Sequence, residues 1–257
     1  MYQVRLERSL FPLQGDGALR ETTVGGVLQD AAADSPDADA LVEVLLDGTI
    51  GRTWTYAQLL VDAGRLADAL LTRYAPGERI AIWAPNAPEW VVVEFAAALA
   101  GLVLVTVNPA YQPRELEFVL RQSGASGLLL VRECRGNPLA EHARAVRAAL
   151  PGLREVVDIE DADALHARAG APKPLPRVRA ADPVQVQYTS GTTGFPKGAV
   201  LSHRNLTNNA RFTNDRFGVE RGETVLCLMP MFHTAGCSLA VLGGVQARVR
   251  LVMMRQF

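Results

Sequence analysis

The sequence holds 257 residues, of which 49% are hydrophobic and 21% are charged, and its formal net charge is −1. This composition is typical of a globular protein and excludes a disordered, collagen-like or disulfide-stapled chain. Because 24 arginines and two lysines are spread along the chain and balanced by acids, the sequence also predicts no nucleic-acid partner.

Apolar helical patterns and short β-branched runs alternate from residue 25 onward, which predicts an α/β protein with mainly parallel sheets flanked by helices. The predicted helices span 24–34, 56–73, 87–100, 113–123, 138–149, 203–216 and 235–244. The predicted strands span 40–46, 51–54, 79–84, 102–107, 127–131, 154–158, 184–188, 199–201, 223–228 and 247–253. Thr55 is in position to cap the second helix.

The most apolar run, 90–107, has the length of a membrane span but contains Glu94 and Gly101. Its first part is helical in pattern and its second part is β-branched, so a buried helix followed by a buried strand is the better interpretation. A buried acid with a raised pKa is one interpretation of Glu94, but we expect its carboxylate to reach water at an edge of that helix.

Residues 172–183 contain four prolines and no apolar periodicity, which predicts a stiff exposed connector. The sequence thus predicts a partial domain over 1–257, with a first α/β lobe at 1–171, the connector at 172–183, and a second lobe at 184–257.

The stretch YTSGTTGFPKG, residues 188–198, follows a predicted strand and contains one of the two lysines. Its glycines allow backbone that turns several N–H groups toward one anion, its hydroxyls donate to phosphate oxygens, and its lysine adds a compact cation. The stretch therefore predicts a cradle for a nucleoside triphosphate, formed by Thr189, Ser190, Gly191, Thr192, Thr193, Gly194 and Lys197.

The phosphate loop of P-loop NTPases is the obvious rival, and its pattern fails here. Lys197 is followed by Gly198 instead of Ser or Thr, and Pro196 and the β-like run after it argue against the helix that such a loop needs.

Other candidate residues have simpler interpretations. The three cysteines (Cys134, Cys227 and Cys237) show no metal-site spacing, which predicts reduced and mostly buried thiols in a cytoplasmic protein. His203 is expected to pack next to a capping Ser202. The arginines near 132–147 are expected to form a solvated face, and Pro85 and Asn86 a turn at a strand end.

The segment YTSGTTGFPKGAVLSHRNL resembles the phosphate-loop signature of the AMP-forming acyl-CoA synthetases, luciferases and peptide-synthetase adenylation domains. The segments TWTYAQLLVDAGRLADAL, IAIWAPNAPEWVVVEFAAALAG and LCLMPMFHTAGC are similar to other family segments and follow the family's order. The resemblance therefore implies the N-terminal large domain of the acyl-CoA synthetase type, in incomplete form.

The resemblance implies ATP-dependent activation of a carboxylic acid, fatty or aryl, to an acyl-adenylate and then to a coenzyme A thioester. ATP, Mg²⁺ and coenzyme A are the implied co-substrates and cofactor. Lys197 and the loop residues would bind the phosphates, Thr193 would contact the metal, and His233 in PMFHTAG would lie at the carboxylate.

Several alternatives stay open. The family's later motifs and its C-terminal domain have no counterpart before residue 257, so we expect the chain alone not to complete the ligase reaction. A peptide-synthetase adenylation domain is one alternative, and an inactive fragment that acts as a binding or dimerisation module is another. The sequence predicts neither which acid is activated nor the oligomeric state. A homodimer therefore stays open as a partner.

Overall fold

The computed structural model describes residues 17–189 and 196–255. The helices are α1 (Val24–Asp34), α2 (Tyr56–Arg73), α3 (Pro88–Leu99), α4 (Pro113–Ser123), α5 (Leu139–Arg147), α6 (Ala162–Leu165), α7 (His203–Phe217), a π-helix (Ala235–Leu242) and α8 (Gly243–Ala247). The strands are β1 (Asp39–Val44), β2 (Ile50–Thr55), β3 (Arg79–Trp83), β4 (Val103–Thr106), β5 (Gly127–Leu130), β6 (Glu155–Asp158), β7 (Pro183–Thr189), β8 (Lys197–Ser202), β9 (Thr224–Cys227) and β10 (Arg250–Met254).

Local sequence signals set the ends of the longer helices. Thr55 caps α2 in a capping box with Gln58, as predicted, and Ser202 caps α7 in the same way. Gly124 and Gly218 take the left-handed conformation just after α4 and α7, which ends both helices. The predicted strand at 247–253 begins later, because α8 runs to Ala247 and a left-handed Arg248 must follow it.

The strands form two sheets. One has the order β6-β5-β3-β4-β7-β8, and all its pairs are parallel except the hairpin of β7 with β8. The other has the order β2-β1-β10-β9, and only its β1–β2 pair is antiparallel. Mainly parallel sheets flanked by helices are therefore confirmed.

The two sheets are not divided at the predicted connector. No helix or strand lies between residues 166 and 182, so the connector itself is irregular as expected. However, β7 pairs with β4 and β10 pairs with β1, so each sheet combines strands from both sides of the connector. Parallel neighbours need a crossover connection, which lets strands far apart in sequence share one sheet.

The run 90–107 is a buried helix followed by a buried strand, as predicted. All of α3 except Glu89 is buried, and so is all of β4. Glu94 contradicts its prediction, because it is only 4% exposed and does not reach water. The reason is that α3 packs against α1, α2, β4 and the π-helix, which leaves it no solvent edge at this turn. Within the described residues, no helix combines the length and apolarity that a membrane crossing requires.

Candidate active site

The carboxyl ends of five parallel strands lie along one edge of the six-stranded sheet. After β3 the chain crosses to β4, whereas after β5 it crosses to β6 on the opposite side. The loops that follow the neighbouring strands β3 and β5 therefore diverge, and such a switch point is where open α/β sheets bind ligands. The strand that precedes the predicted phosphate loop, β7, ends at this same edge.

The hairpin of β7 and β8 holds the two described ends of the predicted phosphate loop. Thr189 pairs directly with Lys197 across the hairpin, and its hydroxyl donates to the Lys197 carbonyl at 3.5 Å. Both residues are exposed. Because a strand and not a helix follows Lys197, the exclusion of the P-loop of NTPases is confirmed. The other predicted loop residues lie outside the described residues, namely Ser190, Gly191, Thr192, Thr193 and Gly194.

His233 lies in the turn between β9 and the π-helix, and its side chain is exposed. Its backbone N–H donates to the Pro230 carbonyl at 3.0 Å, and its own carbonyl accepts from the Gly236 N–H at 2.9 Å. Its Nδ1 accepts from the Ala235 N–H at 3.1 Å. In the neutral imidazole the proton must then be on Nε2, so His233 presents a hydrogen-bond donor to its surroundings.

The structure does not join the two predicted catalytic residues directly. Among the described side chains, no hydrogen bond connects Lys197 with His233. The two segments are linked indirectly, because Gln185 and Gln187 on β7 both donate to the Cys237 sulfur at 3.4 Å.

A cleft of 520 Å³ opens at the switch point, between the loops after β3, β4 and β5 and the segment that precedes His233. The residues that line it are Pro85, Asn86, Asn108, Pro109, Ala110, Gln112, Cys134, Arg135, Asn137, Leu228, Pro230, Phe232 and Arg255. Neither Lys197 nor His233 lines this cleft, although Phe232 does. Sequence reasoning therefore missed the cleft.

Arg135 is the cleft residue with the most unusual backbone. Its φ is +50°, a left-handed conformation that costs a non-glycine residue about 1–3 kcal/mol, and Gly136 follows it with φ +80°. The turn is closed by reciprocal backbone bonds between Cys134 and Asn137. The sequence placed Arg135 on a solvated face, and it is exposed, but it also contributes to the cleft wall. The only sequence signal for this turn was the Arg-Gly-Asn run at 135–137.

Arg255 connects the cleft with a buried ion network. It donates to Glu43 at 2.8 Å and also pairs with Glu89 and Glu160, while Arg52 pairs with Glu43 at 2.9 Å. Although burial opposes ionisation, hydrogen bonds from Arg52 and Arg255 lower the pKa of Glu43 to about 2. The network is thus charged at neutral pH and ties β1, β2 and α3 to the end of β10.

The remaining histidine and cysteine predictions are confirmed by burial. His203 is fully buried, its Nδ1 accepts from the Val24 N–H at 3.1 Å, and burial lowers its pKa to about 4. Burial raises the pKa of Cys227 to about 12 and raises that of Cys237 further. Neutral, enclosed thiols are poor nucleophiles, so both cysteines act as core residues. In the described part of the chain, no group of three or more His, Cys, Asp or Glu could hold a metal ion.

Comparison with known proteins identifies relatives in sequence and in fold. The mouse protein described as mitochondrial medium-chain acyl-CoA ligase ACSF2 is 33% identical over 253 residues, which cover 86% of this chain and 40% of that protein. An inhibitor-bound structure of the N-terminal domain of FACL13 from Mycobacterium tuberculosis matches with a TM-score of 0.79 and 30% identity, over 91% of this chain and 57% of that one. The Mycobacterium tuberculosis fatty acyl CoA synthetase matches with a TM-score of 0.77 and 28% identity, over 91% of this chain and 45% of that one.

A family model also matches this chain, from just after the first turn of α1 onward. The model of the AMP-binding enzyme family matches residues 28–257, nearly the whole chain. The match to the mouse protein spans only 40% of the length of that relative. The family match and the resemblance of the loop at 188–198 agree, and the chain belongs to the AMP-binding enzyme family.

Proposed function

We propose that this chain forms the phosphate-binding and carboxylate-binding part of an AMP-forming acyl-CoA synthetase. The observation that carries the proposal is the β7–β8 hairpin, which sets Thr189 opposite Lys197 at the carboxyl edge of a parallel sheet. The relatives described above carry acyl-CoA ligase or synthetase names, and their similarity supports the same reaction class for this chain.

In the proposed reaction, an oxygen of the acid's carboxylate attacks the α-phosphorus of ATP. The bond between the α-phosphorus and the bridging oxygen to the β-phosphorus breaks, and pyrophosphate leaves. The thiol of coenzyme A then attacks the acyl carbonyl, AMP leaves, and the thiol proton passes to solvent. Catalysis of such transfers depends mainly on positioning and on stabilising developing charge.

The described residues suit two parts of this reaction. The exposed Lys197 ammonium would bind the phosphates that depart as pyrophosphate, and the His233 Nε2–H would donate to a carboxylate oxygen of the acid. Mg²⁺ bound with ATP would neutralise phosphate charge. Its proposed ligand, Thr193, lies outside the described residues.

The cleft at the switch point supports a site for the second anionic co-substrate. Coenzyme A carries phosphate groups, and Arg135 makes no ion pair within the described residues, so its guanidinium remains available to a phosphate oxygen. The side-chain amide of Asn108 on the same wall adds a further donor. The identity of the acid, fatty or aryl, and the cytoplasmic location stay predictions.

Calorimetric titration of Mg-ATP into the chain tests the proposal. We expect Lys197→Ala to weaken binding about tenfold, because it removes a charge-assisted contact to phosphate. Lys173→Ala is a matched control, since Lys173 is the other lysine and lies exposed in the connector. Equal affinity for wild type and Lys197→Ala, or an equal loss in both variants, would contradict the proposed role of the loop.

The peptide-synthetase alternative differs in the thiol that accepts the acyl group. An acyl-CoA synthetase transfers the acyl group to free coenzyme A, whereas a peptide-synthetase domain transfers it to a carrier-protein thiol. Incubation of the acyl-adenylate with each acceptor distinguishes the two, and thioester formation on the carrier alone would favour the alternative.

A further inference from the structure

Asn86 binds the segment that leads to His233. It follows β3 at the switch point and is only 7% exposed. Its Nδ2 donates to the Met229 carbonyl at 3.1 Å and, more weakly, to the Cys227 carbonyl at 3.5 Å. Its Oδ1 accepts from the Met231 N–H at 2.8 Å. Asn86, at the end of a strand of the six-stranded sheet, thus binds the backbone that follows β9 of the four-stranded sheet.

The far side of the same turn packs against the peptide groups that Asn86 binds. A Cβ atom on Gly236 would lie 2.3 Å from the Pro230 carbonyl oxygen and 2.8 Å from that of Met229. Only glycine permits this approach, because real Cβ atoms do not come so near to backbone oxygens. Cys237 then donates to the His233 carbonyl at 3.4 Å and accepts from the two glutamines of β7.

His233 therefore sits on a turn that is fixed at both ends, while its own side chain is fixed at one atom only. Within the described residues, the imidazole makes one hydrogen bond, to the Ala235 N–H. The position of its free Nε2–H must consequently follow the position of the backbone. The segment is held by β3 through Asn86 and by β7 through Cys237, and β7 is also the strand that leads into the phosphate loop.

We infer that Asn86 is a positioning residue, which holds the His233 donor in register with the β7–β8 hairpin. The inference rests on the function proposed above. An amide fits this place because it donates to one backbone group and accepts from another at once. Aspartate would keep the acceptor for Met231 and lose the donor for Met229, whereas alanine would lose both and leave buried backbone groups unpaired.

Amide hydrogen exchange on the whole chain tests the inference without any need for activity. In Asn86→Ala we expect the amides of Gly236 and Cys237 to exchange about tenfold faster, because the turn loses its support from β3. Asn86→Asp should also increase this exchange, because a carboxylate cannot donate to the Met229 carbonyl, and this variant decides the question if the alanine variant does not fold.

Asn208→Ala is the matched control. Asn208 is 5% exposed, and its amide also makes three bonds to backbone, but these go to Arg20 and Arg204. We expect this variant to lose comparable stability and to leave exchange at Gly236 and Cys237 unchanged. Unchanged exchange there in the Asn86 variants, or the same increase in Asn208→Ala, would overturn the inference.

A double-mutant cycle on adenylate formation gives the functional readout. We expect Asn86→Ala to lower kcat about tenfold with little change in the KM for ATP, and to have no further effect once His233 is replaced by alanine. Additive losses would overturn the inference. If the wild-type chain binds no Mg-ATP, the proposed function fails for this chain, whereas hydrogen exchange still decides the role of Asn86.

Discussion

Glu94 is the acidic side chain whose surroundings are least expected. Neither of its carboxyl oxygens has a hydrogen-bond partner within the described residues, and Trp90 on the preceding turn and Thr106 on β4 also hold unpaired polar atoms. Burial raises the pKa of Glu94 well above its ordinary value, because a desolvated carboxyl group favours its neutral form. A buried acid without a hydrogen-bond partner is costly, and nothing in the reaction proposed here uses it.

The raised pKa of Glu94 predicts that the stability of the fold depends on pH. Because the folded-state pKa lies above the unfolded value near 4.5, the unfolded chain releases this proton first as pH rises, and stability falls. We expect Glu94→Gln to lack this decline, so that its advantage over wild type grows between pH 5 and pH 8. Urea unfolding of both proteins at the two pH values measures it.

The exposed Glu141 on α5 supplies the control for this comparison. Glu141→Gln should show the same pH dependence as wild type. If the advantage of Glu94→Gln is instead constant across this range, the carboxyl group is not held neutral by burial.

At the scale of elements, the ion network around Glu43 joins strands that are distant in sequence. Glu43 lies on β1, Arg52 on the neighbouring β2, and Arg255 just after β10. The Glu43 side chain is only 3% exposed, so the charge of its carboxylate is stabilised almost entirely by the two arginines. Removal of one member of such a network leaves the others uncompensated, which costs more than loss of an exposed ion pair.

The lowered pKa of Glu43 gives the opposite pH dependence to that of Glu94. Its stabilisation is fully present above the unfolded pKa near 4.5 and is lost as pH falls toward about 2. We expect Glu43→Gln to cost about 2 kcal/mol at pH 7, after allowance for the half-exposed Arg52, and less at pH 3.

Denaturant unfolding at pH 7 and pH 3 measures the cost, with Glu117→Gln as the control. Glu117 pairs with Arg121 one turn away on the exposed face of α4, and such pairs contribute about 0.3–0.5 kcal/mol. An equally small cost for Glu43→Gln at pH 7 would show that the network does not stabilise the fold.

At the scale of the whole molecule, the chain builds both sheets from its two halves. The last four strands, β7 to β10, contribute two strands to each sheet. Without them β4 loses its parallel neighbour β7, and β1 loses β10 and keeps only its hairpin partner β2. Uncovered parallel strands expose apolar surface and unpaired backbone groups.

A truncated chain of residues 1–182 should therefore not form a stable fold. We expect no cooperative unfolding transition and a tendency to aggregate, whereas a Gly-Ser pair inserted after the exposed Lys173 should leave unfolding almost unchanged. Circular dichroism during heating measures both. A cooperative transition in the truncated chain would instead support the two-lobe division that the sequence predicts.

Local patterns were enough for the elements and for the family. Thr55 and Ser202 cap the helices that they precede in sequence, and Gly124 stops α4, because each acts on backbone within a few residues. The phosphate loop was recognised for the same reason, since its glycines, hydroxyls and lysine are contiguous at 188–198.

Tertiary contacts decided the remaining features. Asn86 and Met231, which form a hydrogen bond, are 145 positions apart in the sequence, and Arg255 and Glu43 are 212 apart. No local sequence pattern predicts either contact. Glu94 was predicted at a solvent edge because the sequence of one helix does not show how many of its faces are covered. In the structure, neighbouring elements pack against α3 on several sides and exclude solvent. By itself the sequence determined which elements form and which family signature the chain carries, since these depend on neighbouring residues. Only the tertiary structure decided which strands share a sheet and which side chains surround His233 and the cleft, because those depend on long-range packing.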